Sequence, residues 1–222
     1  MTMAAKIQSH SKHSPTFSGF SLGFTAASLR PELARIVAEH YLAAGDWDLA
    51  KQRILSSNAL QCRSASTAIR LEREFRQRLG TLTQDQLILA AQATAEDRAA
   101  IAWLAVCKSI RFAFEFASYT LREKLASHDA VLRPSDYEAY IENKSPSHPE
   151  LARLTTSSKN KVRQVLLRML AEAGLLATGT ALGTIQRPAL SPTVVRAITS
   201  DSPDWLAGFL VPDAEISSRR TP

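Results

Sequence analysis

The chain of 222 residues is poor in the residue types that mark redox and metal chemistry. It has two cysteines, Cys62 and Cys107, and neither lies in a CxxC motif or in a cluster of cysteines and histidines. None of its five histidines follows another at the spacing of a zinc site on a helix. Isolated cysteines of this kind are usually small buried side chains in a protein of a reducing compartment. A disulfide scaffold is therefore excluded, and no cofactor or metal is expected.

The chain also lacks a long hydrophobic run. A membrane-spanning helix needs about 20 mostly apolar residues, whereas the best candidate, residues 99–106, is closed off by Arg98 and Lys108. Residues 1–27 are rich in Ser, His, Thr and Gly and have no compact apolar segment of the kind found in secretory signals. We therefore expect no membrane association, a cytoplasmic location and a flexible N-terminal arm over residues 1–27.

Catalytic motifs are missing as well. Gly179 and Gly183 lack the Lys-Ser/Thr pair that completes a phosphate-binding loop, and no Gly-x-Ser-x-Gly nucleophile elbow occurs. Acidic pairs such as Asp46 and Asp48 fit the negative charges expected at the start of a helix. The sequence therefore favours a binding protein over an enzyme.

What the chain does have is a clustered positive charge. The 27 Lys and Arg exceed the 21 Asp and Glu by six. Residues 60–80 carry five arginines against two glutamates, and residues 157–174 carry four basic residues against one glutamate, so these two short segments contain the whole excess. Clustered basic surfaces are typical of proteins that bind polyanions.

Apolar residues recur at helical spacing along most of the chain, which predicts an all-α, compact multi-helix fold. We expect an N-terminal helical domain over residues 28–126, a C-terminal helical domain over residues 133–211 and a loose tail over 212–222. Residues 95–125 have apolar side chains on more than one side and should form the central core element, broken once near Ser109 or Ser118. Threonines and glycines within residues 175–188 leave a short β-hairpin possible there.

Each domain is predicted to contain a helix-turn-helix element, whose second helix buries one face and offers the other to the major groove of DNA. The first element spans residues 46–79 and the second spans residues 148–173. In both, cations fall opposite an apolar stripe, where they can contact guanine or phosphate, and in the second the amides of Asn160 and Gln164 can also contact adenine. The predicted DNA contacts are Arg63, Ser64, Arg70, Arg73 and Arg76 in the first, and Ser158, Lys159, Asn160, Lys161, Arg163, Gln164 and Arg168 in the second.

Simpler interpretations remain open at this stage. Arg70, Arg73 and Arg76 could form ion pairs with Glu72 and Glu74, and either basic face could be an ordinary solvated surface. The serines at 157 and 158 could serve only as helix caps. RNA binding is disfavoured because the aromatic residues fall on the apolar stripes, not among the cations.

The sequence resembles the BrxA family, a core component of the BREX (bacteriophage exclusion) defence systems of bacteria. The resemblance covers about Phe20 to Leu176. The residues that carry it are Ala34-Arg35-Ile36, Asn58-Ala59-Leu60-Gln61 before Arg63 and Ser64, Arg78-Leu79, and Leu170 to Leu176.

This resemblance implies an all-α monomer with two helix-turn-helix elements that binds double-stranded DNA without catalysis. It also implies that the protein works beside other BREX proteins, including a methyltransferase. Two alternatives stay open: a protein-protein adaptor within the defence complex, and a transcriptional regulator of the defence locus.

Overall fold

The computed structural model describes residues 20–177 and 183–220, and it is almost entirely helical there. Residues 1–19, most of the predicted arm, and 178–182, the centre of the predicted hairpin, lie outside the described residues. The α-helices are α1 Pro31–Ala44, α2 Trp47–Ser56, α3 Ala65–Leu79, α4 Gln84–Gln92, α5 Ala95–Ser109, α6 Arg111–Glu115, α7 Arg122–Ala126, α8 Pro134–Lys144, α9 Pro149–Ala152, α10 Thr156–Glu172, α11 Pro192–Thr199 and α12 Asp213–Ser218. A π-helix at Phe116–Leu121, 3-10 helices at Gly23–Ala26 and Pro203–Phe209, and the strands β1 Leu176–Ala177 and β2 Thr184–Ile185 complete the set. The predicted all-α fold is confirmed.

Polar side chains cap the N-termini of helices α2 and α3. Asp46 accepts the backbone N–H groups of Asp48 and Leu49 and starts α2. Ser64 accepts the N–H of Thr67 and starts α3. These side chains satisfy N–H groups that have no partner within the helix, and each such cap contributes about 1 kcal/mol.

The starts of α1 and α10 use other residues than the nearby serines. Helix α1 begins at Pro31 after Arg30, and the Ser28 hydroxyl donates to Glu172 at 3.0 Å. Helix α10 is capped by Thr155, whose hydroxyl accepts the N–H of Ser158, so neither Ser157 nor Ser158 is the cap.

Helix α5 is the centre of the core. Residues 100–107 are all buried, and the indole Nε1–H of Trp103 donates to the carbonyl of Gly208 at 2.9 Å. The long apolar segment breaks at Ile110, next to Ser109, and passes into α6 and the π-helix. The predicted break near Ser109 is therefore confirmed.

The C-terminal elements return to the N-terminal half of the molecule. Helix α11 packs against α4 and α5, and the side-chain amide of Gln86 donates to the carbonyl of Ala197 at 2.9 Å. Residues 213–218 are helical and Ile216 is buried, which differs from the predicted loose tail. A single hydrophobic core extends through both predicted domains, so the boundary at residues 127–132 does not separate two independent cores.

The predicted hairpin is confirmed by the pairing of β1 with β2. The strands are antiparallel, with Leu176 opposite Ile185. Val131 adds an isolated antiparallel bridge to Thr184, and the N–H of Ile185 donates to the carbonyl of Ala130 at 2.7 Å. Residues 130–132 therefore lie along the outer edge of this small sheet.

None of the described helices combines the length and the apolar character that a bilayer crossing requires.

Candidate nucleic-acid interface

Helix α3 presents an exposed basic face. Its buried stripe contains Leu71 and Phe75, while Arg70 and Arg73 are exposed and form no ion pair within the described residues. Arg63 and Ser64 are exposed just before the helix starts. The predicted outward orientation of these side chains agrees with the structure.

The two glutamates of α3 form ion pairs with Arg76 and Arg78, and not with Arg70 or Arg73. Glu72 is buried and accepts Arg76 Nε at 2.9 Å, so Arg76 is engaged and half-buried. Glu74 accepts Arg78, not Arg70 or Arg73. Of Arg70, Arg73 and Arg76, the ion-pair alternative therefore holds for Arg76 alone within the described residues.

Arg78 lies inside the molecule. Its side chain is 4% exposed, and it donates to the carbonyls of Phe24, Ala27 and Ser28 at 3.3, 2.8 and 2.8 Å. Burial lowers the pKa of this guanidinium, and the neighbouring Glu74 acts against that shift. Arg78 thus belongs to the basic segment of the sequence but offers no charge to a ligand.

Helix α10 carries the second basic face. Asn160, Lys161, Gln164 and Arg168 are exposed, whereas Ser158, Lys159 and Arg163 are half-buried. Two of the cations have carboxylate neighbours: Arg168 Nε lies 3.2 Å from Glu172, and Arg163 Nη1 lies 4.0 Å from Glu138. Lys159 and Lys161 have no ion-pair partner among the described residues, so they are the freest cations of α10.

The connections before the two basic helices differ from each other. Helix α9 has only four residues, and three residues separate it from α10, which matches the short turn of a helix-turn-helix. Helix α2 packs against α3, but residues 57–64 make a longer connection between them. The predicted elements at 46–79 and 148–173 thus each contain two consecutive helices, joined by a long connection in the first and a short one in the second.

Residues 20–30, which we call the N-terminal strap, lie between the two basic helices. The 3-10 helix of the strap packs against both α3 and α10. Phe20, Phe24 and Ala27 are buried, which differs from the flexible arm predicted for residues up to 27. Guanidinium and carboxylate groups from helices distant in sequence hold the backbone of the strap. The order of residues within the strap does not predict these contacts.

The strap is fastened at both ends by carboxylates. Glu172 of α10 accepts the hydroxyl of Ser28 and the backbone N–H groups of Leu29 and Arg30, at 3.0, 2.6 and 3.1 Å. Glu150 accepts the N–H of Phe20 at 2.7 Å, and the Phe20 ring stacks on His148 with centroids 3.7 Å apart. Together with Arg78, these contacts tie α3, α9 and α10 to one short stretch of backbone.

Acidification should loosen the Glu150 end of the strap. The N–H of Phe20, the N–H of Glu150 itself and His148 lower the pKa of the Glu150 carboxyl from 4.5 to about 2. Because the folded state favours the ionised form, its contribution to stability is complete above about pH 4.5 and is lost as the pH falls toward 2. We expect Glu150→Gln to weaken the dependence of the unfolding free energy on pH in this window, measured by urea unfolding from pH 6 to 2.5.

Glu142→Gln is the matched control for that comparison. Glu142 is exposed on α8 and forms no ion pair within the described residues. It should keep the acid dependence of the parent protein. An identical acid dependence in Glu150→Gln would show that the carboxylate does not hold the strap.

Side chains from α3 and α10 meet in one cleft of about 900 Å³, which we call the basic cleft. Arg70, Arg73 and Gln77 line it from α3, and Lys161 lines it from α10. Residues 21 and 23–26 of the strap also contribute. Two segments 88 positions apart in sequence, at residues 73 and 161, thus place on a shared surface cations that pair with no carboxylate of the described residues.

The cleft also contains residues that the sequence did not single out. Lys108 at the end of α5 lines it, although its ammonium group binds Asp201 at 2.9 Å and Gln86 at 3.3 Å. Gln77 offers a side-chain amide one helical turn after Arg73. Lys108 lies outside both basic segments of the sequence, and Gln77 lies within residues 60–80 but carries no charge. Conversely, Arg63, Lys159 and Asn160 do not line this cleft.

In the described part of the chain, no group of three or more histidine, cysteine, aspartate or glutamate side chains is placed to hold a metal ion.

Comparison with known proteins assigns the family. The BrxA family model matches residues 18–202. The chain belongs to the BrxA family. A BREX protein BrxA of Bacillus cereus (strain H3081.97) is 27% identical over 148 residues, which make up 67% of this chain and 74% of that protein. A BREX protein BrxA of Escherichia coli O9:H4 (strain HS) is 26% identical over 145 residues, 65% of this chain and 68% of that protein.

The fold of this BrxA-family chain also occurs in a solved structure. A crystal structure of an uncharacterized protein from Magnetospirillum magneticum superposes with a TM-score of 0.77 at 18% identity, over 87% of this chain and 98% of the other. At that identity the match concerns the fold alone.

One stretch that carries the resemblance to the BrxA family has a clear structural role. Asn58 has a positive φ of 48°, and its side chain makes two hydrogen bonds to the backbone of Cys62, at 3.0 and 3.1 Å. Asparagine tolerates this backbone conformation better than most residues. Leu60, between them, is buried. The stretch therefore shapes the connection that leads into α3.

Proposed function

We propose that this BrxA-family protein is a non-enzymatic component of a BREX defence system that binds double-stranded DNA through its basic helices. The observation that carries the proposal is the placement of Arg70, Arg73 and Lys161 in one cleft without carboxylate partners in the described residues. We further propose that it acts in the cytoplasm as a monomer, beside other BREX proteins that include a methyltransferase.

Unpaired cations on a shared surface favour a polyanionic ligand. Mutual repulsion raises the free energy of such a cluster, and phosphates relieve that repulsion. Each phosphate that a Lys or Arg neutralises releases condensed counterions from DNA, which contributes favourable free energy at low salt. Asn160 and Gln164, exposed on the same helix as Lys161, add amides that can form hydrogen bonds to base edges.

The order of elements around α10 supports a DNA-binding role for this helix. The antiparallel β1–β2 pair directly follows α10, and β1 packs against this helix, as the wing of a winged helix-turn-helix domain lies beside its recognition helix. In such domains the last helix contacts the major groove and the hairpin lies beside it. Arg163 and Arg168, near their carboxylates, would contribute less to this contact than Lys161.

An electrophoretic titration of the purified chain with duplex DNA at two salt concentrations tests the proposal. We expect binding that weakens steeply with salt, with log K falling by about 0.9 per phosphate contact for each tenfold rise in salt. A single-stranded RNA competitor of equal length should compete less well than the duplex. Absence of duplex binding at about 50 mM salt, near the low end of the range in which such contacts are strongest, would overturn the proposal and favour a protein-protein adaptor.

The same titration separates the regulator alternative. A transcriptional regulator of the defence locus should prefer a promoter fragment from that locus over random DNA by about 1,000-fold or more. We expect the two DNAs to compete within about tenfold of each other, since binding dominated by phosphate contacts depends little on sequence.

A further inference from the structure

We propose that the basic cleft holds the sugar-phosphate backbone of one DNA strand, so that α3 and α10 grip the same strand of the same duplex from opposite sides. This inference rests on the proposed DNA binding. It goes beyond it by assigning the two basic helices to a single joint site instead of two separate ones.

The size of the cleft favours a strand over a whole duplex. A volume of about 900 Å³ is in the range of pockets for small ligands. A duplex cannot enter such a space, but a few nucleotides of projecting backbone can. Arg70 and Arg73, three residues apart, lie on one face of α3 and can contact neighbouring phosphates while Lys161 faces the strand from α10.

The strap gives the two sides of the cleft a fixed spacing. Arg78 of α3 binds its carbonyls, and Glu172 of α10 binds its N–H groups. Both helices are therefore tied to the same eleven residues, 20–30, and their backbones cannot move apart without breaking these hydrogen bonds. The fixed spacing removes the cost of bringing the two helices together around a strand, so that only the side chains lose conformational freedom on binding.

Two helices on either side of one backbone cannot contact DNA in the same way. The major groove, about 12 Å wide, admits a helix, whereas the minor groove, about 6 Å wide, does not. Only one helix can enter a major groove beside the strand, and the other contacts phosphates. Asn160 and Gln164 assign base contact to α10, and Arg70 and Arg73 assign phosphate contact to α3.

A double-mutant cycle measures whether the two sides cooperate. If Arg73→Ala releases the strand from one side of the cleft, the contact between Lys161 and the strand also weakens. The loss of duplex affinity in the double variant should therefore be about fivefold smaller than the product of the two single losses, which is equivalent to ~1 kcal/mol. The control cycle uses Arg63→Ala and Lys159→Ala, cations before α3 and on α10 that do not line the cleft. Their effects should multiply. If the losses of duplex affinity multiply in both cycles, the inference is overturned.

Cross-linking identifies the strand directly. Arg73→Cys and Lys161→Cys, combined in a Cys62→Ser chain whose remaining Cys107 is buried, carry thiol-linked photoreactive groups. The duplex carries a different dye on each strand. After irradiation and denaturation, chains that have reacted at both positions should retain one dye. Chains that retain both dyes would overturn the inference.

The outcomes also separate this inference from the proposed function. If the parent chain does not bind the duplex, both fail. If it binds but the cross-links join two strands, the DNA-binding proposal stands and the shared-strand inference alone is wrong.

Discussion

Replacing Arg78 with methionine should lower the free energy of unfolding by about 3 kcal/mol, because breaking a buried charge pair leaves the remaining charge uncompensated. The Arg78 side chain is 4% exposed and pairs with Glu74, which is itself largely buried. The substitution also leaves the carbonyls of Phe24, Ala27 and Ser28 without their donor. Each unsatisfied buried group adds to the loss. Urea unfolding at pH 7 measures the change.

Arg73→Met is the matched control on the same helix. Arg73 is exposed and forms no ion pair with a described residue, so its replacement should change stability by no more than about 0.5 kcal/mol. Arg73→Met should weaken duplex binding more than Arg78→Met does in the folded protein, since Arg73 lines the cleft and has no carboxylate partner among the described residues. A loss of less than about 1 kcal/mol for Arg78→Met would show that the strap is not held by this guanidinium.

The contrast between Arg78 and Arg73 shows where local sequence patterns are informative. The apolar period of α3 and its cap Ser64 define the helix and the face that it buries, because helix geometry depends on residues three and four positions apart. The same logic predicts the start of α2 at Asp46. What the pattern cannot show is that Arg78, on the boundary of the basic face, turns toward the carbonyls of a segment about fifty residues earlier.

The strap illustrates a second limit. Its residues mix large apolar side chains, among them Phe20, Phe24 and Leu29, with small and polar ones, and they continue a Ser-, His- and Thr-rich stretch that predicts a flexible arm. The structure holds them because Arg78, Glu150 and Glu172 supply charged partners from three different helices. Such non-local hydrogen bonds leave no periodic signal in the segment that they fix. For the same reason the sequence predicted two domains, whereas α11 packs back against α4 and α5.

The candidate site was predictable in its parts but not in its assembly. The outward cations of α3 and α10 follow from amphipathic periodicity. The convergence of these cations depends on the strap and on the packing of the core. Which cations stay available depends on the ion pairs of Arg76 with Glu72 and of Arg168 with Glu172. The carboxylates remove some cations from the basic surface and leave Arg70, Arg73 and Lys161 as its most available members.

Removing these three cations together should abolish most duplex binding. If each contacts one phosphate, the Arg70→Ala/Arg73→Ala/Lys161→Ala variant loses about three units of salt dependence, and near 0.1 M salt its affinity falls by about 100-fold or more. The fold should persist, because all three side chains are exposed and form no ion pair with a described residue. Duplex titrations from low to high salt measure the slope, and urea unfolding measures stability.

The control variant removes the same formal charge elsewhere. Arg196, Arg219 and Arg220 are exposed on or next to α11 and α12, outside the cleft. Replacing all three with Ala also takes the formal net charge from +6 to +3. The formal net charge changes equally in both variants, so a larger loss in the cleft variant reports direct contact. The control should lose less than about tenfold in affinity, because salt screens the attraction between DNA and charges outside the contact surface. Equal losses in the two variants would mean that net charge, and not the cleft, attracts the DNA.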